Sequence, residues 1–426
     1  MNRARTLTAL FTRRTRPTRR GWALLISGAI LIVSAYSVDR TELLYLGSFL
    51  IVAPLLALAT VRLRRVRVHT ARRFTPHLAH AHQRLDISID VRNRAAGRTT
   101  QSAWRDTLPW PAPTAHGTLE PLAAYRSSRS TGTTTSLSYH TTPPRRGVHS
   151  IGPLIIDTPD PFGLARGEVA VGDTHDVIVA PATATLPDTG RNIAADDGSA
   201  RAVQLRSSAN DDELMTREYR AGDPLRRVHW KASARHGELM VRQEEQRSHA
   251  RARLVLDTRR RGYRDLQRPT PTEPESDNFE WLVSFASSLT HRLQHTGFTV
   301  DVTETARPQL ASPDIREEFL ESLATLELRE EPRRENQLGL RPEPGRTLGT
   351  IFVLLSDAEP HIVDELAANR VHYDHAVAFI IAARREAVAE PLAAAGYTCI
   401  EILPDDDPVD VWLTIAHLAE HTDSYV

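Results

Sequence analysis

Two long apolar segments without charged side chains lie near the start of the chain, and they restrict its possible folds more than any other feature. Residues 21–38 read GWALLISGAILIVSAYSV and residues 43–61 read LLYLGSFLIVAPLLALATV. As helices rising about 1.5 Å per residue, each would be roughly 27–29 Å long, close to the ~30 Å hydrocarbon thickness of a bilayer. Only four polar residues, 39–42, separate them. The sequence therefore predicts a two-helix transmembrane hairpin over residues 21–61.

Arginine residues flank both apolar segments and predict the orientation of the hairpin. Residues 1–73 contain 14 basic and 2 acidic side chains, whereas residues 74–426 contain 39 basic and 51 acidic ones. Because positively charged flanks stay on the cytoplasmic side, we expect a two-pass plasma-membrane protein with a basic cytoplasmic arm over residues 1–20 and cytoplasmic soluble domains. A cleaved signal peptide and a pair of buried soluble helices are the alternatives. Anionic lipid, rather than nucleic acid, is the expected partner of these arginines.

The rarity of cysteine and lysine excludes several kinds of site. Cys399 is the only cysteine, so the chain has no internal disulfide bond and no cysteine-based zinc ribbon. It lies inside a predicted strand, where we expect it to be an inert core residue. Lys231 is the only lysine, and no Gly-x-x-x-x-Gly-Lys motif contains it, so the chain has no Walker A loop. A length of 426 residues predicts two to three domains.

Residues 62–200 have the pattern of an all-β domain. Leu85, Ile87, Ile89 and Val91 alternate with polar residues, which is the period of a strand with one buried face. Clusters of Gly, Pro and Thr separate other short apolar runs, and no long helical stripe lies between them. Many short strands with turn signals predict a β-sandwich.

Residues 251–426 change to alternating strands and helices. Strands are predicted near 253–257, 298–302, 350–355, 376–381 and 397–403. Helices are predicted from a cap at Asp277 to Gly297, and over 313–328, 360–369, 386–395 and 408–421. Continuous apolar strands that alternate with helices predict an α/β domain with a mostly parallel sheet, covered on both faces.

Residues 201–250 form a linker with a distinctive segment, DDELMTREYRAGDPLRRVHWKASARHGELMVRQEE, at 211–245. Asp223 suits a helix N-cap and Pro224 the first helical position, so we expect a helix to about Ala234 with Gly237 at its exit.

Arg227, Lys231 and Arg235 would lie on one face of that helix, four residues apart. Three interpretations of this cationic face stay open. It can form internal salt bridges, it can bind an acidic partner, or it can belong to a catalytic centre built on His229 or Lys231.

The same segment resembles the signature of the family called domain of unknown function 58. The family pattern R-x-Y-x-x-G-D-x-x-R-x-I-x-W-x-x-x-A-R is matched by Arg217, Tyr219, Gly222, Asp223, Arg226, Val228, Trp230, Ala234 and Arg235. A second family motif resembles residues 151–167, through Gly152, Pro153, Asp160, Pro161, Phe162, Gly163 and Leu164. The resemblance implies a membrane-anchored protein with a von Willebrand factor A-like last domain. It also implies association with MoxR-type AAA+ ATPases and transglutaminase-like membrane proteins. Because no biochemical activity is established for the family, the resemblance predicts none for this chain.

The resemblance also directs attention to the end of the first α/β strand. In the von Willebrand A fold, Asp-x-Ser-x-Ser at this point helps to bind Mg²⁺, but here Asp257 is followed by Thr258, Arg259, Arg260 and Arg261. Guanidinium groups have no lone pair to donate and repel a cation. We therefore expect a degenerate site that binds no metal, in which Asp257 and Asp357 can pair with those arginines instead.

Together these patterns predict a non-enzymatic membrane scaffold or adaptor that works with a MoxR-type AAA+ ATPase and needs no cofactor. The alternative is a membrane-associated, hydrolase-like enzyme with its site in residues 211–245, and a metal-dependent adhesion module is disfavoured by Arg259 and Arg261. No catalytic residue is assigned, and any small-molecule ligand is left open. The residues expected to form the signature or to bind a partner are Arg217, Glu218, Tyr219, Gly222, Asp223, Arg226, Arg227, His229, Trp230, Lys231 and Arg235.

Overall fold

The computed structural model describes residues 14–64, 66–125, 133–188, 216–218, 228, 230–242, 251–270, 272–330, 338–340 and 348–422. The chain forms two compact units. The first comprises Met1–Ala182 with Pro269–Pro274, and the second comprises Thr183–Arg268 with Glu275–Val426. The apolar helices and the β-rich region therefore share one unit.

The first unit begins with a short strand and the two apolar helices, β1 (Arg14–Pro17), α1 (Arg19–Val38) and α2 (Thr41–Leu63). Their 20 and 23 residues make both helices long and apolar enough to cross a membrane, on length and composition alone. Most of their side chains are exposed. The helices meet at Gly28 and Gly47, where a Cβ atom on either residue would lie 2.9 Å from the carbonyl oxygen of the other. The two glycines thus permit a close helix–helix contact.

Ten further strands of the first unit confirm the predicted β-rich region. They are β2 (Val68–Thr75), β3 (Ala79–His80), β4 (Leu85–Asn93), β5 (Ser102–Asp106), β6 (His116–Leu119), β7 (Thr134–Thr141), β8 (Gly147–Ile151), β9 (Leu154–Pro159), β10 (Ala165–Val171) and β11 (His175–Ala180). They form sheets with the orders β1-β10-β9-β5-β6, β2-β4-β7 and β3-β11-β8. On β4 the alternating apolar residues Leu85, Ile87, Ile89 and Val91 are all buried, as their period predicts.

The second unit contains a short hairpin followed by the predicted α/β region. Its elements are β12 (Thr216–Glu218), α3 (Trp230–His236), β13 (Met240–Arg242), β14 (Arg251–Leu256), α4 (Asp277–His295), β15 (Thr299–Glu304), α5 (Arg316–Ala324), β16 (Leu348–Leu355), α6 (Pro360–Asn369), β17 (Tyr373–Ile380), α7 (Arg385–Ala394), β18 (Thr398–Glu401) and α8 (Pro408–Thr422). The sheet order is β15-β14-β16-β17-β18, and every neighbouring pair is parallel. This confirms the predicted parallel sheet.

Some predicted helix boundaries were wrong, each for a local reason. Ser276, rather than Asp277, is the N-cap of α4, because its hydroxyl accepts a hydrogen bond from the Phe279 N–H. Helix α5 is shorter than the predicted 313–328, because Ile315 before it has an extended conformation and Thr325 ends it. Val228 lies in a β-bridge, so the described part of the signature helix begins at Trp230 and not at Pro224.

Residues 183–188 belong to the second unit although they follow the last strand of the first. Thr183 and Ala184 are hydrogen-bonded to Ser287 and Ser288 of α4. Farther along, the Pro187 carbonyl accepts a hydrogen bond from the Trp412 indole at 3.0 Å. The last strand described in the first unit, β11, ends just before this segment, at Ala180.

Candidate functional site

The signature segment is a two-stranded hairpin with a helix inserted between its strands. Strands β12 and β13 are antiparallel, and Arg217 lies opposite Val241. Helix α3 ends at His236, and Gly237 follows with φ 75°, the left-handed conformation expected of a helix stop. The Ser233 hydroxyl accepts a hydrogen bond from the Met240 N–H at 2.8 Å, which joins α3 to β13.

The predicted signature residues are only partly described by the structure. The hairpin of β12 and β13 includes the backbones of Arg217 and Glu218. Helix α3 contains Trp230, Lys231 and Arg235. Trp230 is 68% exposed and Arg235 is also exposed. The remaining predicted residues, Tyr219, Gly222, Asp223, Arg226, Arg227 and His229, lie outside the described residues. An exposed tryptophan and an exposed arginine thus lie five residues apart on one short helix.

The second part of the candidate site is the edge of the parallel sheet at which β14, β15 and β16 end, here called the carboxyl edge. In the order β15-β14-β16-β17, the chain continues from β14 to its neighbour β15 on one side and from β16 to its neighbour β17 on the other side. In open parallel sheets, ligands bind at such a switch point, beyond the carboxyl ends of the strands. Asp257 follows β14 and Asp357 follows β16, so both lie at the switch point.

Asp257 is completely enclosed by the protein. One of its carboxylate oxygens accepts hydrogen bonds from the Thr305 hydroxyl at 2.5 Å and from the Arg259 N–H at 3.3 Å. The other, Oδ2, is buried and has no hydrogen-bond partner among the residues that the structure describes, and the following 3-10 turn brings Gly262 against it. Burial raises the pKa of Asp257 to about 6, although these two hydrogen bonds oppose the shift.

The arginines after β14 have partners other than the predicted ones. The Arg259 guanidinium binds the Glu359 carboxylate at 2.5 Å and contacts His361 Nε2 at 2.7 Å. Arg264, at 3.3 Å, is the arginine that pairs with Asp357. Arg261 is exposed. The Arg259 guanidinium therefore pairs with Glu359 and His361 at the start of α6, and Asp357 pairs with an arginine outside the run that follows Asp257.

Asp357 has a structural role at the carboxyl edge. Its two oxygens accept hydrogen bonds from the N–H groups of Ala383 and Arg384, at 3.2 Å and 2.7 Å, just before α7. Among the residues that the structure describes, no three His, Cys, Asp or Glu side chains are grouped so that they could hold a metal ion.

Comparison with known proteins places the hairpin, the carboxyl-edge aspartate and helix α4 in a single family segment. Residues 215–298 match the family model described as protein of unknown function DUF58. The match supports membership of the DUF58 family. None of the curated proteins compared with the chain matches it.

Three solved structures show only a weak likeness to this chain. The CARDB domain of a Pyrococcus furiosus protein in complex with di-metal ions has 14% identity and a TM-score of 0.19, covering 27% of this chain and 88% of that one. The Pseudomonas fluorescens alkylpurine DNA glycosylase AlkC has 12% identity and a TM-score of 0.18, covering 38% and 43%. A family two carbohydrate esterase from Clostridium thermocellum has 10% identity and a TM-score of 0.20, covering 84% and 99%. Such low scores carry no argument about fold or function.

The second motif of the DUF58 resemblance, DPFGL at residues 160–164, forms a turn against the first apolar helix. The Asp160 carboxylate holds the turn by accepting hydrogen bonds from the N–H groups of Phe162 and Ala165, at 2.9 Å and 2.5 Å. Thr18, the N-cap of α1, donates its N–H to the Leu164 carbonyl and its hydroxyl to the Gly163 carbonyl. This DPFGL turn therefore fixes the start of α1 to the β-rich region.

A buried ion pair in the β-rich region was not predicted from the sequence. The Arg72 guanidinium donates to both oxygens of Asp106, at 2.6 Å and 3.2 Å, and the Tyr139 hydroxyl donates to Asp106 at 2.7 Å. Both charged side chains are fully buried. Burial and the nearby Asp106 carboxylate raise the pKa of Tyr139, which keeps its phenol protonated as a donor. Gly152, from the GP part of the second motif of the resemblance, packs against this guanidinium.

Proposed function

We propose that this DUF58 chain is a non-enzymatic, membrane-anchored scaffold whose exposed helix α3 binds a protein partner. The N-terminal helices anchor it, both arginine-rich flanks lie in the cytoplasm, and the β-rich and α/β units are cytoplasmic. The partner is a MoxR-type AAA+ ATPase, as the family resemblance implies. In this proposal the β-rich region is a sandwich and the α/β unit is a von Willebrand A-like module without its metal.

The observation that carries the proposal is the exposure of Trp230. A tryptophan that is 68% exposed leaves a large apolar surface in water, at a cost of about 25 cal/mol per Å². Arg235, one turn and a residue further along α3, is exposed too, and it has no ion pair with any other described residue. Tryptophan and arginine are the residue types that most often dominate binding energy at protein interfaces.

The contents of the carboxyl edge favour a scaffold over an enzyme. Asp257 is buried beneath the turn at Gly262, Arg259 is bound by Glu359, and Asp357 caps the backbone before α7. An enclosed carboxylate, an ion pair and a backbone cap thus fill the position where a parallel sheet would bind a substrate or metal.

Substitution of Trp230 tests the proposal in the full-length protein. We expect Trp230→Ala, purified in mild detergent, to retain about tenfold less AAA+ ATPase than the unmodified protein, which corresponds to a hot spot of about 1.4 kcal/mol or more. Val371→Ala is the matched control, because it removes another exposed apolar side chain from the same unit. Quantitative mass spectrometry measures the retained ATPase.

Arg235→Ala distinguishes a binding role from a structural one. If Arg235 binds the partner, the variant keeps its melting temperature and loses the ATPase. A lower melting temperature with unchanged co-purification would show that Arg235 stabilises the fold instead. Equal retention of the ATPase by Trp230→Ala and Val371→Ala would show that α3 is not the binding surface. If no sample, including the unmodified protein, retained the ATPase, this partner would be excluded.

A further inference from the structure

A cavity of about 600 Å³ lies between α2 and the DPFGL turn, in the first unit. Its wall on the helix side includes Phe49, Ala53 and Leu56, and its wall on the turn side includes Phe162 and Leu164. Its size falls within the roughly 300–1,000 Å³ range of small-molecule sites. Nothing in the proposed scaffold function uses it.

Both walls of the cavity are held in place by contacts described above and by packing beneath the turn. Ala165, immediately after the turn, is buried in a small apolar cluster with Ala57 and Val61 of α2. Val61 also packs on Gly167, where a Cβ atom would come within 2.5 Å of it. The cavity is therefore preformed and does not depend on an occupant for its shape.

Apart from Thr60 and Arg64, the exposed side chains at the cavity are apolar. Phe162 at the tip of the turn is 77% exposed, and on α2 Phe49 is 67% exposed and Leu56 is 61% exposed. Asp160 is in the lining, but two backbone N–H groups already bind its carboxylate. A polar solute would gain few hydrogen bonds here, whereas a hydrocarbon chain would bury surface that is otherwise exposed.

The dimensions and charge of the cavity indicate how such a chain would lie. From Phe49 to Arg64, which also lines the cavity, α2 rises about 22 Å, compared with about 15 Å for the hydrocarbon of one leaflet. Arg64 is the C-cap of α2, so its guanidinium lies at the membrane-surface end of the helix. Arginine binds phosphate oxygens in a charge-assisted geometry.

We propose that this cavity holds one acyl chain of an anionic membrane phospholipid, with the headgroup phosphate at Arg64. The DPFGL turn then has two roles, since it fixes α1 to the β-rich region and forms one wall of a lipid site. The inference rests on the membrane anchoring in the proposed function, but not on the identity of the protein partner.

Photolabelling in vesicles tests the lipid site. Full-length protein is reconstituted with phosphatidylglycerol that carries a diazirine in the middle of one acyl chain, and labelled peptides are identified by mass spectrometry. We expect label on residues 158–164 and on the cavity face of α2. Ala53→Trp should fill the cavity and abolish labelling of the turn. Leu55→Trp, which adds the same side chain two residues away and outside the lining, should leave it unchanged.

Labelling of the outer faces of α1 and α2 serves as the internal standard for insertion and folding. If Ala53→Trp loses this standard labelling, Phe162→Ala replaces it as the cavity variant, with reduced turn labelling expected. Standard labelling without any label on residues 158–164 would overturn the lipid site and leave the membrane anchor standing. If a folded Ala53→Trp variant still labels the turn, the turn is in contact with bulk lipid. That result would also overturn the proposed lipid site. No labelling of either helix would refute the anchor itself.

The phosphate contact is tested separately with diacylglycerol, which has the same acyl chains but no phosphate, carrying the same diazirine. We expect Arg64→Gln to lower labelling by phosphatidylglycerol about tenfold, which corresponds to the loss of one charge-assisted hydrogen bond, and to leave diacylglycerol labelling unchanged. Equal labelling by the two lipids in the unmodified protein would contradict the assignment of the phosphate to Arg64.

Discussion

At the scale of single residues, Asp257 is a buried acid whose ionised form is disfavoured by burial. Its pKa is raised from 3.8 to about 6, so the folded chain keeps a proton between these pH values that the unfolded chain loses. The contribution of Asp257 to stability is therefore highest below about pH 4 and falls as the pH rises to about 6, by up to about 3 kcal/mol.

Replacement of Asp257 by asparagine should remove this pH dependence. We expect Asp257→Asn to raise the melting temperature of the detergent-solubilised protein at pH 8 and to change it little at pH 4, since the neutral amide needs no proton. Asp374→Asn, an exposed carboxylate on β17, is the control and should have no such effect. A melting temperature lowered equally at both pH values would show that the carboxylate form stabilises the fold.

The ion pair between Arg72 and Asp106 should contribute far more to stability than an exposed pair in the same region. Asp106→Asn leaves a fully buried guanidinium without its counter-charge, and we expect a loss of about 3–5 kcal/mol in the free energy of unfolding. Glu168→Gln, which breaks the exposed pair with Arg105, should cost about 0–1 kcal/mol. Denaturant unfolding followed by tryptophan fluorescence compares the two variants. Equal losses would mean that burial of the Arg72 pair adds nothing.

At the scale of elements, the contact between α1 and α2 depends on the absence of side chains at Gly28 and Gly47. A Cβ atom on Gly28 would lie 2.7 Å from an Ile51 side-chain carbon as well as 2.9 Å from the Gly47 carbonyl. We expect Gly28→Leu to push the helices apart, at a cost of about 1–3 kcal/mol for overpacking.

Spin labels on Trp22 and Leu63, both exposed, would measure this separation by electron–electron resonance in a Cys399→Ser background. The distance should increase in Gly28→Leu. It should stay unchanged in Ala29→Leu, which adds the same side chain at an exposed neighbouring position of α1. An unaltered distance in Gly28→Leu would show that the helices do not rely on this contact.

At the scale of the whole molecule, the arginine-rich flanks predict that both termini are cytoplasmic. In the Cys399→Ser background, Arg40→Cys in the turn between the helices should react with a membrane-impermeant thiol reagent in intact cells. Asp374→Cys on the exposed surface of the second unit should react only after the cells are opened. The reverse pattern would place both units outside the cytoplasm.

Local sequence patterns determined the elements of this protein. The apolar helices follow from the length of their uncharged segments, the buried face of β4 from its period of two, and the parallel strands from short apolar runs, so the sequence alone predicts them. Burial confirms part of the expectation for Cys399, which is half-buried with its pKa raised to about 11. The signature motif identified the family segment, but not what its residues contact.

Only the tertiary structure decided how distant residues combine. Arg259 meets Glu359, 100 positions away, Thr18 meets the turn at Gly163, and Arg72 meets Asp106 across two sheets. Sequence periodicity does not predict such pairs, because each depends on which elements become neighbours in the folded chain. The same holds for Asp257: the sequence shows an aspartate at a strand end, whereas its raised pKa arises from the turn that folds over it and excludes water.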